Sequence, residues 1–409
     1  MTPAGHVNKK DREAAAPSID ELIDRARALR PFLREWAHAT EMDRRVSPEA
    51  IAMLADAQLL GMIKPKRFGG LEMGPTAMLR VGHELGRACG STAWCAMISN
   101  ANSSFASWWP LEVQKDIWGV NPGNLVAGAL APTGRAEAAD GGFTISGRWP
   151  YASNCDNAAW YYVSCVLPSP DGAPTSIGLF MVPAEDLLID QDSWRVSGMQ
   201  GTGSKTLYCE TPVFVPAIRM ILFSDVQAGS VPGNLISDNI AARFNFTTFG
   251  ATCLVSAILG MAQGELDWFV ETTRTKSRAP MRPGAPIPAS ANPFTQERAG
   301  RASAMVDAAL TLVLQSVGTA EAKVFAQTPL EIVDRVRIRQ SFGFAANSCA
   351  EVADLLIKGA GATSSDLSSP GQRHWRDISA ATRHLNLDVA GIYSLVGQHL
   401  FGLPLVGPH

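Results

Sequence analysis

Apolar residues recur with the period of an amphipathic helix over the first hundred residues of the chain. One such stripe comprises Leu22, Ile23, Ala26 and Leu29. Residues 47–49 read Ser-Pro-Glu, the usual order of an N-cap, a proline at the first helical position and a first-turn acid. The pattern predicts a flexible tail over residues 1–17 and a helical domain over residues 18–120.

The pattern changes between residues 121 and 230, where short β-rich runs alternate with turns. Aromatic and β-branched residues concentrate in the runs 143–145, 160–163, 177–182 and 206–208. The sequences Asp140-Gly141-Gly142 and Asp171-Gly172 are typical of tight turns. Together these features predict a central all-β domain.

The helical period returns after residue 231 in four long segments. They cover residues 241–275, 296–326, 331–359 and 373–400. Four amphipathic segments predict a four-helix bundle over residues 231–409. Because apolar residues occupy more than one helix face, as in residues 308–314, we expect a homotetramer built through this bundle.

Composition and charge limit the possible partners. The formal net charge of −3 gives no basic field for nucleic acid, and no uninterrupted apolar run reaches the roughly 18 residues that a membrane span needs. The N-terminus lacks the apolar segment of a secretory signal, so we expect a cytoplasmic protein without a membrane partner. A small molecule is therefore the expected ligand.

Several chemistries lack their required motifs. The seven cysteines are scattered without a C-x-x-C pair, and the seven histidines show no metal-binding spacing. The sequence contains neither a P-loop nor a G-x-S-x-G motif, and no G-x-G-x-x-G follows a predicted strand. We therefore expect reduced thiols, no metal centre and no Rossmann unit for NAD(P)H.

Six short segments in a fixed order carry a family resemblance. They are residues 68–71, 90–94, 131–134, 146–154, 198–205 and 373–377. In this order the chain resembles the acyl-CoA dehydrogenase superfamily over about residues 20–400, and most closely its oxygenase branch, the two-component flavin-dependent monooxygenases. The resemblance implies an α+β acyl-CoA dehydrogenase-like fold with an N-terminal helical domain, a central β-barrel domain and a C-terminal four-helix bundle.

The resemblance also implies two catalytic residues, His384 and Ser153. Dehydrogenases of the superfamily carry a catalytic glutamate in one of two bundle-helix positions, and at one of these places this chain has His384, on the predicted last helix. An imidazole that titrates near neutrality could accept a proton from the substrate or donate one to the flavin hydroperoxide. Ser153 would face flavin N5. The structural alternatives are a histidine bonded within the bundle and a serine in a turn.

The substrate pocket implied by the resemblance departs from the family pattern. Its candidates are Trp94, Asn102, Gly128 and Asp388. Phenol hydroxylases of the branch commonly have a histidine at the position of Asn102 and a serine at that of Gly128. An asparagine cannot act as a base and a glycine contributes only room, so the substrate class stays open between phenols, polycyclic aromatics, heteroaromatics and amines.

The implied flavin contacts lie in all three parts of the chain. They are Trp94, Ser153, Thr202, Ser204, Arg274, Arg278, Gly361 and Thr363, the last two from a neighbouring subunit. An arginine fork suits the flavin phosphate. For the arginines, the alternative is that the basic residues after Thr273 only interact favourably with the negative end of the helix dipole. For residues 359–361, the alternative is a helix C-cap.

The function implied is the oxygenase component of a two-component flavin-dependent monooxygenase. It would use O2 and reduced FMN or FAD from a separate NAD(P)H-flavin reductase, through a C4a-hydroperoxide, to hydroxylate an aromatic or heteroaromatic small molecule or to N-oxygenate an amine. One alternative is an acyl-CoA dehydrogenase-like FAD oxidoreductase, which the missing glutamate opposes. The other is a catalytically silent assembly protein of the same fold.

Overall fold

The computed structural model of the chain describes residues 16–168, 176–236, 243–244, 246–278 and 285–407. The N-terminal part is helical, as predicted. Its helices are α1 (Ile19–Met42), α2 (Pro48–Asp56), α3 (Pro75–Gly86), α4 (Gly90–Ala106) and α5 (Leu111–Trp118). Ser47 caps α2 by accepting a hydrogen bond from the backbone N–H of Ala50, and Pro48 is the first residue of α2.

The central part has its strands in two sheets. The strands are β1 (Val126–Ala139), β2 (Gly142–Ser146), β3 (Arg148–Ala152), β4 (Trp160–Val166), β5 (Ile177–Pro183), β6 (Leu188–Asp190), β7 (Lys205–Tyr208), β8 (Val213–Pro216) and β9 (Met220–Leu222). One sheet has the order β8-β2-β1-β4-β5-β9 and the other β3-β7-β6. All four predicted β runs are confirmed as strands.

The two sheets share one apolar core. Trp149 from the smaller sheet is completely buried, and its indole N–H donates to the carbonyl oxygen of Ser164 on β4 at 2.8 Å. The predicted turn at residues 140–142 joins β1 to β2, with Gly141 in the left-handed region at φ 75°. The predicted turn at residues 171–172 lies outside the described residues.

The C-terminal part is helical again. Its helices are α6 (Phe223–Ala228), α7 (Phe246–Phe249), α8 (Thr252–Thr275), α9 (Pro293–Phe325), α10 (Ile332–Ala360), α11 (Pro370–Ala381) and α12 (Val389–Leu400), with a short hairpin of β10 (Ser277–Arg278) and β11 (Ile287–Pro288). The first three predicted segments correspond to α8, α9 and α10. Residues 241, 242 and 245 of the first segment lie outside the described part, and residues 246–249 of that segment form the separate short helix α7.

The fourth predicted segment, 373–400, is not one helix. It forms α11 and α12, separated by residues 382–388, because two side chains cap backbone N–H groups there. His384 accepts from the N–H of Asn386, and Asp388 accepts from the N–H of Gly391 as the N-cap of α12. His384 therefore lies in the connection between two helices and not on the last helix as predicted.

Glycines allow the N-terminal helices and the bundle to approach closely. A Cβ added at Gly86 of α3 would lie 2.9 Å from the Cα of Gly260 on α8 and 2.7 Å from the carbonyl oxygen of Ala257. Such contacts are too short for any side chain, so glycine is required at the crossing of these helices. This crossing holds α3 of the N-terminal part close against α8 of the C-terminal part.

Among the described residues, α8 and α9 are the helices long and apolar enough to meet the criterion for a membrane span. The apolar window of α8 is 78% buried inside the protein, which is typical of a core helix. The corresponding window of α9 is only 33% buried, so this helix presents an apolar face that the single chain leaves uncovered.

Candidate active site

The structure brings together three predicted site residues from three separate elements. The indole N–H of Trp94, on α4, donates to the hydroxyl oxygen of Ser153 at 3.3 Å. The ring centroids of Trp94 and His384 lie 6.0 Å apart with the rings edge to face. Trp94 and Ser153 are 6% and 7% exposed.

Ser153 follows β3 in a turn whose backbone is unusual. Tyr151 and Asn154 have φ values of 68° and 60°, and Met199 in the adjacent loop has a φ of 58°. Non-glycine residues rarely adopt this left-handed region, and such strain is commonly found at functional sites. The two loops are joined because the N–H of Asn154 donates to the carbonyl oxygen of Thr202 at 3.0 Å.

Three hydroxyl groups form a continuous row between these loops. The hydroxyl oxygens of Ser153 and Ser204 lie 2.7 Å apart, and those of Ser204 and Thr202 also lie 2.7 Å apart. Thr202 donates to the carbonyl oxygen of Met199 at 2.8 Å. The predicted flavin contacts Ser153, Thr202 and Ser204 therefore belong to one buried cluster.

A buried ion pair that was not predicted from the sequence links the same two loops. The ammonium group of Lys205 is 2.7 Å and 2.9 Å from the two carboxylate oxygens of Asp156. It also donates to the side-chain oxygen of Gln191 at 2.6 Å. The side chains of Lys205 and Asp156 are only 2% and 8% exposed. The sequence feature that could have indicated this ion pair is a lysine in an otherwise β-rich run, directly after a turn of small residues.

Helix α11 holds the loop at residues 197–203 from the other side. The carboxylate of Asp377 accepts the backbone N–H of Met199, and Arg376 donates to the carbonyl oxygen of Ser197 at 2.8 Å. Burial raises the pKa of Asp377 to about 6, although the Met199 N–H opposes this shift. A Cβ at Gly198 would lie 2.1 Å from the carbonyl oxygen of Arg376, so this loop needs a glycine.

The surroundings of His384 favour the neutral form of its imidazole ring. Its Nδ1 accepts the backbone N–H of Asn386 at 3.2 Å, which places the ring hydrogen on Nε2. Although the residue as a whole is exposed in the single chain, the protein atoms packed around the imidazole lower its pKa to about 4. This lowered pKa favours the neutral ring in the unliganded single chain, and the catalytic role of His384 stays a prediction.

Two of the predicted substrate pocket residues contact a buried tyrosine, and a third caps a helix. Asn102 donates to the carbonyl oxygen of Val126 at 2.9 Å and accepts from the phenol of Tyr162 at 2.8 Å. A Cβ at Gly128 would lie 1.9 Å from the ring of Tyr162, so this ring fills the room expected beside the glycine. Tyr162 was missed in the sequence. Asp388 is exposed and caps α12.

The cationic end of α8 only partly matches the predicted phosphate site. Arg274 is exposed in the last turn of α8. Lys276 instead donates to the carbonyl oxygen of Ala360 at 2.9 Å, at the C-terminus of α10, and Gly361 with φ 83° is the C-cap of that helix. The side chains of Arg278 and Thr363 lie outside the described residues.

No cluster of metal ligands accompanies the site. Across the described ranges, no group of three or more histidine, cysteine, aspartate or glutamate side chains could hold a metal ion. The cysteines in the same ranges are unpaired thiols, and burial raises the pKa of Cys155 beside the site to about 12. The side chains that the cluster presents carry hydroxyl, indole and imidazole groups.

Comparison with known proteins gives consistent matches along the chain. Residues 16–115 match the family model of the acyl-CoA dehydrogenase N-terminal domain, and residues 252–389 match that of the acyl-CoA dehydrogenase C-terminal domain. The chain is 32% identical over 393 residues to the oxygenase component of an FADH2-dependent resorcinol hydroxylase from Rhizobium sp. (strain MTP-10005). That match covers 95% of this chain and 96% of the relative.

Two solved structures are similar over nearly the whole chain. The HsaA monooxygenase from M. tuberculosis matches with a TM-score of 0.88 and 28% identity, covering 96% of this chain and 100% of that one. XiaF from Streptomyces sp., in complex with FADH2 and glycerol, matches with a TM-score of 0.86 and 27% identity, covering 95% and 97% of the two chains.

Proposed function

The chain belongs to the acyl-CoA dehydrogenase family, within which it is a flavin-dependent monooxygenase, and we propose that its active site is the cluster of Trp94, Ser153 and His384. It uses reduced flavin, and as an oxygenase component it depends on a separate flavin reductase. The observation that carries the site assignment is the contact of Trp94 with both Ser153 and His384. These residues are far apart in sequence and meet only in the fold.

The cluster fits a flavin by its hydrogen-bonding capacity. Reduced flavin, when bound, supplies the two electrons that activate O2 for transfer of one oxygen atom. Within the described part of the chain, Ser153 uses one lone pair for Trp94 and retains another for a ligand. The phosphate would be held by Arg274, with Arg278, Gly361 and Thr363 as further contacts. The names of two similar proteins favour FAD over FMN.

His384 would orient the reacting oxygen by donating a hydrogen bond. Its Nδ1 is occupied by Asn386, so the neutral ring presents Nε2–H as its donor. An oxygen atom on the substrate is a better partner for that N–H than a protonated amine. We therefore propose a phenolic aromatic substrate ahead of an amine, with Trp94 as an aromatic wall of its pocket.

The pocket behind this wall differs from that implied by the family pattern. Tyr162 occupies the space beside Gly128, and its phenol is already bonded to Asn102. Both side chains are almost fully buried. They would therefore shape the pocket by their volume, and they leave acid–base chemistry to other groups. Asp388 would affect the site by capping α12, which fixes where the segment 382–388 ends.

Oxygen consumption with an unrelated reductase tests the function directly. The purified chain should not oxidise NADH by itself, because the matched domains include no NAD(P)H-binding unit. With reduced FAD supplied by any flavin reductase it should consume O2 and convert a fraction of a panel of phenols to hydroxylated products, detected by mass spectrometry. Reduction of bound FAD by acyl-CoA in place of this reaction would identify a dehydrogenase. Binding of neither flavin form would identify an assembly protein.

We also propose that the chain forms a homotetramer in the cytoplasm. Large apolar residues of α9, of the start of α10 and of the C-terminal segment are strongly exposed in the single chain: Phe294, Phe325, Ile332, Val333, Leu400, Phe401, Leu403 and Val406. Exposed apolar area of this extent favours burial against another copy. Light scattering at micromolar concentration should give about four times the mass of one chain. A stable monomer would contradict this and would remove the cross-subunit flavin contacts.

A further inference from the structure

The hydroxyl row beside Trp94 has two ends that can each act in only one way. The indole N–H of Trp94 can only donate, and it donates to Ser153. The carbonyl oxygen of Met199 can only accept. It accepts from the Thr202 hydroxyl at 2.8 Å, and also from the backbone N–H of Thr202 at 3.1 Å and the indole N–H of Trp194 at 3.2 Å. Between these ends stand the hydroxyls of Ser153, Ser204 and Thr202, with successive oxygens 2.7 Å apart.

Hydrogen counting fixes the direction of every bond in the row. Each hydroxyl has one hydrogen, and that of Thr202 is used on Met199. The hydrogen between Ser204 and Thr202 must therefore come from Ser204. The Ser204 hydrogen is then used, so the hydrogen between Ser153 and Ser204 must come from Ser153. The direction runs from Trp94 to Met199.

Burial keeps this direction from being scrambled by water. Ser153, Ser204 and Thr202 are 7%, 6% and 1% exposed. The surrounding backbone is also tied, since Asn154 donates to the carbonyl oxygen of Thr202. Turning one hydroxyl in such a row would leave a buried hydrogen or lone pair without a partner. The free-energy cost would be at least that of about one net hydrogen bond.

We propose that Thr202 and Ser204 are positioning residues that fix the Ser153 hydroxyl as a hydrogen-bond acceptor, and that the site thereby selects reduced over oxidised flavin. The proposal rests on the proposed placement of flavin N5 beside Ser153. Reduced flavin carries a hydrogen on N5 and donates to the remaining lone pair of Ser153. Oxidised flavin has a lone pair on N5, and it meets a hydroxyl whose hydrogen is committed to Ser204.

This selectivity suits an enzyme that receives its flavin from a separate reductase. Reduced flavin must be captured before it reacts with O2 in solution, and oxidised flavin must leave for the next cycle. A site that accepts from N5–H binds the first form more tightly than the second. The hydroxyl row provides this difference without any charged group at N5.

The test compares Thr202→Val with Thr202→Ser. Valine keeps the shape of threonine but removes its hydroxyl, so Ser204 can turn to donate to Ser153, which is then free to donate to the flavin. The dissociation constants of oxidised and of anaerobically reduced FAD are measured by titration. The ratio of oxidised to reduced constants should fall about 2–10-fold in Thr202→Val, the value of about one net hydrogen bond. Thr202→Ser should keep the parent ratio.

Two further variants separate this proposal from the placement of flavin. Ser204→Ala should lower the ratio as Thr202→Val does, and it carries the test if the valine variant does not fold. Ser153→Ala should weaken reduced-flavin binding and also lower the ratio. If Ser153→Ala changes nothing, flavin N5 is not beside Ser153 and both proposals fail. If only Ser153→Ala lowers the ratio, the site stands and the role of Thr202 and Ser204 is overturned.

Discussion

Replacing His384 with alanine should lower the rate of oxygen transfer by about 10²–10³-fold while reduced flavin still binds. This is the usual cost of removing one preorganised hydrogen-bond donor from a reacting oxygen. The measurement is single-turnover product formation with reduced FAD, O2 and a phenol identified by the substrate panel. The dissociation constant of reduced FAD serves as the control for the integrity of the site.

An asparagine variant tests which chemical property of His384 matters. Asparagine offers an N–H donor but no titratable group, so His384→Asn should recover part of the activity that alanine loses if donation is the role. If the asparagine variant is as slow as the alanine variant, proton transfer is required. If both variants keep the parent rate within a few-fold, His384 only caps the turn before α12.

The pH dependence of the parent enzyme follows from the lowered pKa of His384. With a pKa of about 4, the ring stays neutral from pH 5 to pH 9 and gains its proton only in more acidic solution. Protonation makes Nδ1 a donor and breaks the bond from the Asn386 N–H. A limb near pH 4 that vanishes in His384→Ala is expected, and a limb near pH 6.5 would show that the bound ligands raise this pKa.

Periodicity and family resemblance predicted the fold, and the resemblance assigned Trp94, Ser153 and His384 to the surroundings of one flavin. The alternation of apolar residues identifies which face of a helix or strand is buried, so the helical, β and helical parts could be predicted. The break inside residues 373–400 could not, because it depends on local capping by His384 and Asp388. Capping side chains of this kind also occur on exposed helix surfaces, so their sequence signal is weak.

Buried polar contacts between distant residues account for the rest of what the sequence did not reveal. Tyr162 and Asn102 are 60 residues apart, and their bond shows that Gly128 makes room for a protein ring. Glu265 lies completely buried on α8, where burial raises its pKa and neither carboxylate oxygen has a hydrogen-bond partner among the described residues. Periodicity marks such a position as core but gives no account of a carboxyl group there.

The second large effect is expected at the buried pair of Lys205 and Asp156. Asp156→Ala should lower the free energy of unfolding by about 3–5 kcal/mol, because it leaves the ammonium group of Lys205 buried without its counter-charge. Gln191 still accepts one hydrogen bond from that group but cannot neutralise it. The measurement is urea denaturation at a fixed protein concentration, since association of subunits would otherwise change the apparent stability.

A double variant and an exposed control show whether this cost comes from the unpaired charge. Lys205→Met in the Asp156→Ala background removes the charge along with its partner, so most of the lost stability should return. Arg195→Ala removes one member of an ion pair whose side chains are 73% and 75% exposed, and it should change stability by less than about 1 kcal/mol. If the double variant loses the sum of the stabilities that Asp156→Ala and Lys205→Met lose when each is made alone, the pair is not coupled. In that case the two loops that carry Ser153 and Ser204 are held together by their other contacts, the backbone bond from Asn154 to Thr202 and the hydroxyl pair of Ser153 and Ser204.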